Sequence, residues 1–304
     1  MSTPAPAKVL VTGAAGFLGS AVVRRCAARW PDATLLRVDV TGDPTRVDVT
    51  CDLADATATA DLVRDFAPNT LLHMAGATTG RDVDELVRAN VGALASVLDA
   101  VAANAPDCRV VVPGSAAEYG ECDPADGLIR EDRQLRPASP YAISKVRQTR
   151  LALEFAAGGL SVTVGRVFNL SGAGVPPAFV LGAVAAQLRE IVAGLDEPIV
   201  RTGDLSAVRD FVDVDDACDA LLELASRGRR GAVYNVCSGQ PVVIGEVVRE
   251  LIALSGTDAA LESGAPARDR GDVSWSVGSN AKLLAETAWQ PATSRRESLR
   301  RMLD

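Results

Sequence analysis

The stretch Thr12-Gly13-Ala14-Ala15-Gly16-Phe17-Leu18-Gly19 constrains this chain more than any other. It follows a short β-rich run, Lys8-Val-Leu-Val-Thr12, and opens a helical apolar pattern over residues 17–29. A strand that passes through closely spaced glycines into a helix belongs to a βαβ unit. One glycine permits the tight turn, a second lets the backbone approach a ligand, and the third lets helix and sheet pack closely. The helix N-terminus offers unpaired N–H groups and the positive end of its dipole, so the turn suits a pyrophosphate. The spacing is G-x-x-G-x-x-G rather than G-x-G-x-x-G, and on its own such a turn can be purely structural.

The alternation continues downstream. Residues 35–38 form a second apolar run, 61–66 a short helix, 70–73 a strand, 86–103 a long helix and 109–112 the next strand. Residues 141–157 read as a helix entered through Pro140, and 160–164 as a strand. This rhythm predicts an α/β fold, a doubly wound parallel sheet of the Rossmann type covered on both faces. Beyond Asn169 the rhythm changes to a Gly/Pro loop over 171–178, helices over 179–193, 213–225 and 244–254, a strand over 232–236 and a charged loop over 268–272. The expected organisation is a nucleotide-binding domain over 1–168, to which about 207–240 return, with 169–304 mainly a smaller C-terminal α/β substrate lobe.

The formal net charge of −8 and the lack of a basic patch argue against a nucleic-acid partner. Six cysteines, at 26, 51, 108, 122, 218 and 237, form no C-x-x-C pair. The lone His73 cannot complete a zinc set, so no metal is expected. Reduced thiols point to a cytoplasmic protein. No apolar run reaches the ~18 residues of a membrane span, and residues 1–7 lack the pattern of a signal peptide.

Asp39 ends the second strand, where a carboxylate can accept hydrogen bonds from adenosine ribose hydroxyls and repel a 2′-phosphate. That favours NAD(H) and leaves NADP(H) possible, because Arg37 lies on the same side of the strand. The plainer reading of Asp39 is a solvated strand end. Asp52, before Leu53, could reach an adenine amino group or simply close a turn. Tyr141 and Lys145 form Y-x-x-x-K, which puts them on one helix face. A nearby ammonium would lower the phenol's pKa toward working pH. Ser115 stands at the C-terminal end of a strand, where ligands bind in such sheets.

These pieces together resemble the extended short-chain dehydrogenase/reductase family in its nucleotide-sugar branch. The matching segments are TGAAGFLG at 12–19, DL at Asp52, HMAG at 73–76, NV at Asn90, GSAAEYG at 114–120, SPYAISK at 139–145, RVFN at 166–169, RDFVD at 209–213 and YNVCSG at 234–239. They run in order over nearly the whole chain. The resemblance implies a Ser115–Tyr141–Lys145 triad. It implies a cofactor site of Gly13, Ala15, Gly16, Phe17, Leu18, Gly19, Asp39, Asp52, Leu53, Met74, Ala75, Gly76, Asn90 and Phe168, completed by Tyr141 and Lys145. It implies substrate contacts from Ser115, Ala116, Tyr141 and Asn169, with Arg209 and one of Arg268 or Arg270 on the diphosphate. Arg209 could instead pair with Asp210 or Asp213, and His73 reads as a strand-end residue rather than a catalyst. A homodimer through the helices at 86–103 and 141–157 is also implied.

Within the branch, SPYAISK, EPIVRTGD at 197–204 and YNVCSG look most like the GDP-4-keto-6-deoxymannose reductases and related sugar 4-ketoreductases. The expected activity is NAD(P)H-dependent reduction of a nucleotide-linked 4-keto-6-deoxy sugar. The alternatives are a 4-epimerase, a 4,6-dehydratase, or a dinucleotide sensor without catalysis. The dehydratase needs acidic residues just after the triad Ser, where this chain has Ala116 and Ala117. Glu118 follows, and on an extended stretch it would point the other way.

Overall fold

The computed structural model describes residues 5–80, 82–264 and 273–304. Strands rich in Val and Leu form a parallel sheet buried on both faces, as that composition requires. They are β1 (Lys8–Thr12), β2 (Thr34–Asp39), β3 (Val49–Thr50), β4 (Thr70–His73), β5 (Arg109–Ser115) and β6 (Ser161–Val167), joined by Val233–Val236 from late in the chain. Across the sheet the order is Val233–Val236, β6, β5, β4, β1, β2, β3, all parallel. The order reverses between β1 and β4, a switch point whose C-terminal side is the ligand-binding crevice of such sheets.

Val9, Val11, Leu72 and Val111 face one way and meet Ala21, Val22, Ala217 and Leu221 of helices Phe17–Arg29 and Val214–Arg227. Leu10, Leu71, Val110 and Val112 face the other way, against Val63, Leu94, Leu98 and Ala152 of helices Ala56–Phe66, Ala93–Asn104 and Pro140–Ala157. Arg24–Asp215, Arg25–Asp219 and Arg29–Glu223 lace the first pair of helices. Such part-exposed pairs contribute ~0–1 kcal/mol each. Burying one side chain such as Leu221 contributes ~1.5–3 kcal/mol, so packing dominates.

The helix over Val83–Asn104 is long and apolar enough by composition to cross a membrane, which differs from the sequence expectation. Its Leu94, Leu98 and Val101 are fully buried against the sheet, which accounts for its apolar character. It widens to a π-helical turn over Arg88–Gly92.

The remaining segments build small sheets. Asn169–Ser171 pairs with Phe211–Asp213, Ile199–Thr202 with Ala260–Ser263, and Val208–Arg209 lies between Val242–Val243 and Trp275–Ser276. Helices Val180–Val192 and Ile244–Ser255 cover them with Leu181, Leu188, Val247 and Leu251. Tyr119, Ile129, Phe168, Cys237, Trp275 and Val277 form a cluster between these sheets and the main one. Leu283 and Trp289, near the end of the chain, pack into the first core. All six cysteines are free and buried.

Candidate active site

The glycine turn is shaped by close backbone contact. Gly13 has φ +65°, and a Cβ there would lie 2.5 Å from the Ala75 nitrogen, so the loops after β1 and β4 touch at the crevice. A Cβ on Gly19 would lie 1.9 Å from the Gly13 carbonyl oxygen. Gly16 caps the helix without any side-chain hydrogen bond, and its first turn holds no acidic residue. An uncapped, charge-free helix start beside a bare backbone fits a dinucleotide pyrophosphate.

Asp39 stands next to this turn. Its carboxylate accepts the Ala15 N–H at 2.9 Å and the Val40 N–H at 2.7 Å. Arg37 is tied to Asp48 at 2.6 Å and to the Thr45 carbonyl. Arg46, which the sequence reading did not single out, donates to the Ala15 carbonyl on the same turn. Asp52 accepts the Ala54 N–H at 2.9 Å, closing a turn, and Leu53 is buried behind it. Phe17 and Leu18 pack into the core at the helix start.

Across the crevice, Met74 donates to the Thr12 carbonyl and Ala75 to the Thr12 hydroxyl. A Cβ on Gly76 would lie 2.7 Å from Asn90 Oδ1. Asn90 sits in the π-helical turn, and its amide bridges Ala77 and the Ser144 hydroxyl. His73 is fully buried, with Nδ1 on the Thr12 hydroxyl at 3.0 Å and Nε2 without a hydrogen-bond partner. Burial, helped by the Lys145 charge, pulls its pKa down to about 3, so it is neutral.

Ser115 ends β5, and its Oγ accepts the Ala117 N–H at 3.2 Å, which leaves the hydroxyl proton to be donated. Ser139 caps the helix that follows, with Pro140 in its first turn, and so aims Tyr141 and Lys145 at the end of β5. The Tyr141 phenol hydrogen-bonds with Ser115, but burial outweighs this and raises its pKa. The lowering expected from Lys145 is not seen here, because Lys145 Nζ turns to the Pro113 carbonyl at 2.7 Å and to Gln148 Oε1. Burial lowers the Lys145 pKa to about 8. Gln148 donates in turn to the Asn90 carbonyl at 3.0 Å. It lies three residues after Lys145 on one helix face, a spacing the sequence could have revealed.

Phe168 is packed inside the cluster with Tyr119 and Cys237, a structural task for its ring. Ala116 is buried beside it. Asn169 Nδ2 donates to the Asp210 carbonyl at 3.1 Å. Arg209 lies in the strand Val208–Arg209 and is part-buried. The Asp210 carboxylate accepts from Ser238, Gly239 and Gly278, and that of Asp213 from Asp215 and Ser298, so both carboxylates are engaged by other groups. Arg268 and Arg270 lie outside the described residues.

Comparison with known proteins agrees with this geometry. The GDP-6-deoxy-D-mannose reductase of Pseudomonas aeruginosa is 31% identical, over 97% of this chain and 96% of its own. The dTDP-6-deoxy-L-talose 4-dehydrogenase (NAD(P)(+)) of Kitasatospora kifunensis is 30% identical, over 98% and 95%. Among solved structures, RMD from Pseudomonas aeruginosa complexed with NADPH superposes with a TM-score of 0.87 at 31% identity, covering 97% of this chain and 96% of that one. MoeE5 in complex with UDP-glucuronic acid and NAD superposes with a TM-score of 0.82 at 31% identity, covering 97% of each. Residues 9–237 match the NAD dependent epimerase/dehydratase family. With a seven-stranded Rossmann-type sheet, a glycine turn at its switch point and Ser, Tyr and Lys gathered beside it, the chain belongs to that family, among the extended short-chain dehydrogenases/reductases.

Proposed function

We propose that the protein reduces the C4 ketone of a nucleotide-linked 4-keto-6-deoxy sugar at the expense of NAD(P)H. The observation that carries this reading is the placement of Ser115 and Tyr141 at the crevice, followed by Ala116 and Ala117, which can move no proton. Glu118 is turned away into an ion pair with Arg166, so among the described residues no acid–base pair for eliminating water follows Ser115 directly. The two relatives above, a reductase and a 4-dehydrogenase of 6-deoxy sugars, support the same chemistry.

The Gly13–Gly19 turn would hold the dinucleotide, which would supply hydride to the site. Arg209 holds the sugar diphosphate, and that remote contact orients the ketone. Ser115 donates a hydrogen bond to the ketone oxygen as negative charge develops on it. Tyr141 gives that oxygen its proton; a phenol whose pKa is raised stays protonated and ready to do so. Lys145, a cation below about pH 8, would hold the nicotinamide ribose. NAD(H) is the favoured cofactor because of Asp39, and NADP(H) is possible because Arg46 borders the same pocket. The protein acts in the cytoplasm as a homodimer formed through helices 83–104 and 140–157.

The test is a stoichiometry. Purified protein, a 4-keto-6-deoxy nucleotide sugar and NAD(P)H labelled at C4 should give one oxidised cofactor per sugar alcohol, with the label at the sugar C4. Interconversion of two sugars with no net cofactor consumption would instead make it an epimerase.

A further inference from the structure

Glu118 is a fully buried carboxylate that the chemistry above does not use. It closes the short 3-10 turn Ala116–Tyr119 directly after Ser115. One oxygen accepts the Ser115 N–H at 2.8 Å and the Thr149 hydroxyl at 3.0 Å; the other accepts Nε of Arg166 at 2.8 Å. Ser115 returns the contact by capping the same turn through Oγ, so both its backbone and its hydroxyl are fixed.

The pair is built into the fold. Arg166 comes from β6, donates to the Tyr119 hydroxyl at 3.0 Å and lies 4.8 Å from that ring. Tyr119 donates to Asn235 of the strand Val233–Val236 at 2.6 Å. Gly114 makes the room: a Cβ there would lie 2.7 Å from Glu118 Oε1 and 3.0 Å from Arg166 Cγ. A buried ion pair is often no more stabilising than well-packed apolar side chains in the same volume. Stability alone therefore gives little reason for a charge directly behind the reactive serine.

We propose that Glu118 is a positioning residue for the reduction proposed above, aiming the Ser115 hydroxyl at Tyr141 and supplying negative charge beneath Tyr141 and Lys145. The groups around the reactive pair are His73 from β4, the Pro113 carbonyl and Ser115 from β5, Arg166 from β6, and Gln148 and Thr149 from the same helix. Among them Glu118 is the acidic group that acts on both, raising the proton affinity of Lys145 against burial and that of Tyr141 with it. Glu118→Gln keeps an acceptor for Ser115, removes the charge and leaves Arg166 uncompensated. Tyr141 and Lys145 then lose their protons at lower pH.

The experiment uses the full-length protein and two readouts, kcat/KM against pH in the reducing direction and NADH binding against pH by fluorescence. The second needs no sugar, so it survives if the sugar assignment is wrong. Glu118→Gln should move the alkaline limb of both profiles down by about half a pH unit or more. Glu118→Asp keeps the charge but withdraws it from Ser115. It should leave the limbs in place and lower kcat about tenfold or more, since a misplacement of ~1 Å can cost up to ~10²-fold. Thr149→Val, which removes only a neutral donor, should move neither limb. If Glu118→Gln does not fold, the charge-neutral Glu118→Gln/Arg166→Met variant carries the test with a smaller shift in the same direction. Unmoved limbs with a merely lowered Tm, or full kcat in Glu118→Asp, would overturn the proposal.

Discussion

Replacing Tyr141 by Phe removes one hydroxyl and keeps a ring of the same shape, so the packing of its helix should survive while the proton donor is lost. Turnover should fall ~10²–10⁴-fold with Tm nearly unchanged, checked by steady-state kinetics and thermal melts; near-normal turnover would sink the role given to Tyr141. The cofactor pocket gives a second residue-level prediction. Asp39 lies on the turn with its charge uncompensated by Arg37, whose guanidinium is held by Asp48. NAD(H) should therefore bind more tightly than NADP(H). Asp39→Asn, which still offers an acceptor to the Ala15 N–H, should narrow the gap about tenfold, equivalent to ~1.4 kcal/mol. Arg46→Ala should widen it by weakening NADP(H) alone; titration of both cofactors decides, and tighter NADP(H) binding by the unaltered protein would reject the role of Asp39. The residues legible from sequence were those whose spacing carries meaning, such as Tyr141 and Lys145 one helical turn apart. Arg46 and the Glu118–Arg166 pair were not legible in these roles. Their partners lie 31 and 48 positions away, and only the fold brings them together.

At the scale of elements, the glycine turn makes a contrast with another glycine in the same chain. Gly19→Ala would drive its Cβ to 1.9 Å from the Gly13 carbonyl, against backbone that cannot swing aside. The helix must shift off the sheet, at a cost of ~1–3 kcal/mol, and the phosphate turn moves with it. At Gly203 a Cβ meets nothing within 4 Å, and the same substitution there should be neutral or stabilise by up to ~1 kcal/mol through the unfolded chain. Calorimetry and NADH titration on both variants check this: Gly19→Ala should lose Tm and cofactor affinity, and Gly203→Ala neither. A Gly19→Ala protein with full affinity would mean that the close packing is not what shapes the site. The long strands and helices of the first half were readable because apolar periodicity is sustained there. The π-helical turn at Arg88–Gly92 was not, since its single glycine, Gly92, does not by itself specify a departure from the 3.6-residue repeat. Strands of two to four residues in the second half, such as Val208–Arg209 and Trp275–Ser276, are too short to show alternation.

Over the whole molecule, the chain leaves the main sheet after β6 and comes back to it with helix Val214–Arg227, strand Val233–Val236, and Leu283 and Trp289. The sequence showed two kinds of rhythm but not this last return, because single residues joining a distant core leave no periodic trace. Such interleaving ties the opening of the crevice to the folding of both bodies, so global stability should report on groups buried at the crevice. His73 is the one to follow, since the chain has no other histidine and its imidazole NMR signals are unique. The ring is neutral and fully buried, with its pKa brought from 6.5 to about 3 mainly by burial. In the unfolded chain it would bind a proton near pH 6.5, and in the folded chain only near pH 3. Between these values the unfolded state holds more protons, so stability falls as pH drops through 6.5 and the loss is complete below about 3. From about pH 7 to about pH 5 this one residue should remove ~2 kcal/mol. Carboxylates titrate over the same range, so the informative quantity is the difference in slope between the protein and His73→Gln, measured by urea unfolding at several pH values. His73→Gln lowers stability at neutral pH if its amide is poorly accommodated, but that offset does not change with pH. A shallower acid slope in His73→Gln, together with imidazole shifts that do not titrate above pH 5 in the folded protein, is the expected result. Equal slopes would mean that the ring is protonated in place, and that the crevice is wetter than its burial implies.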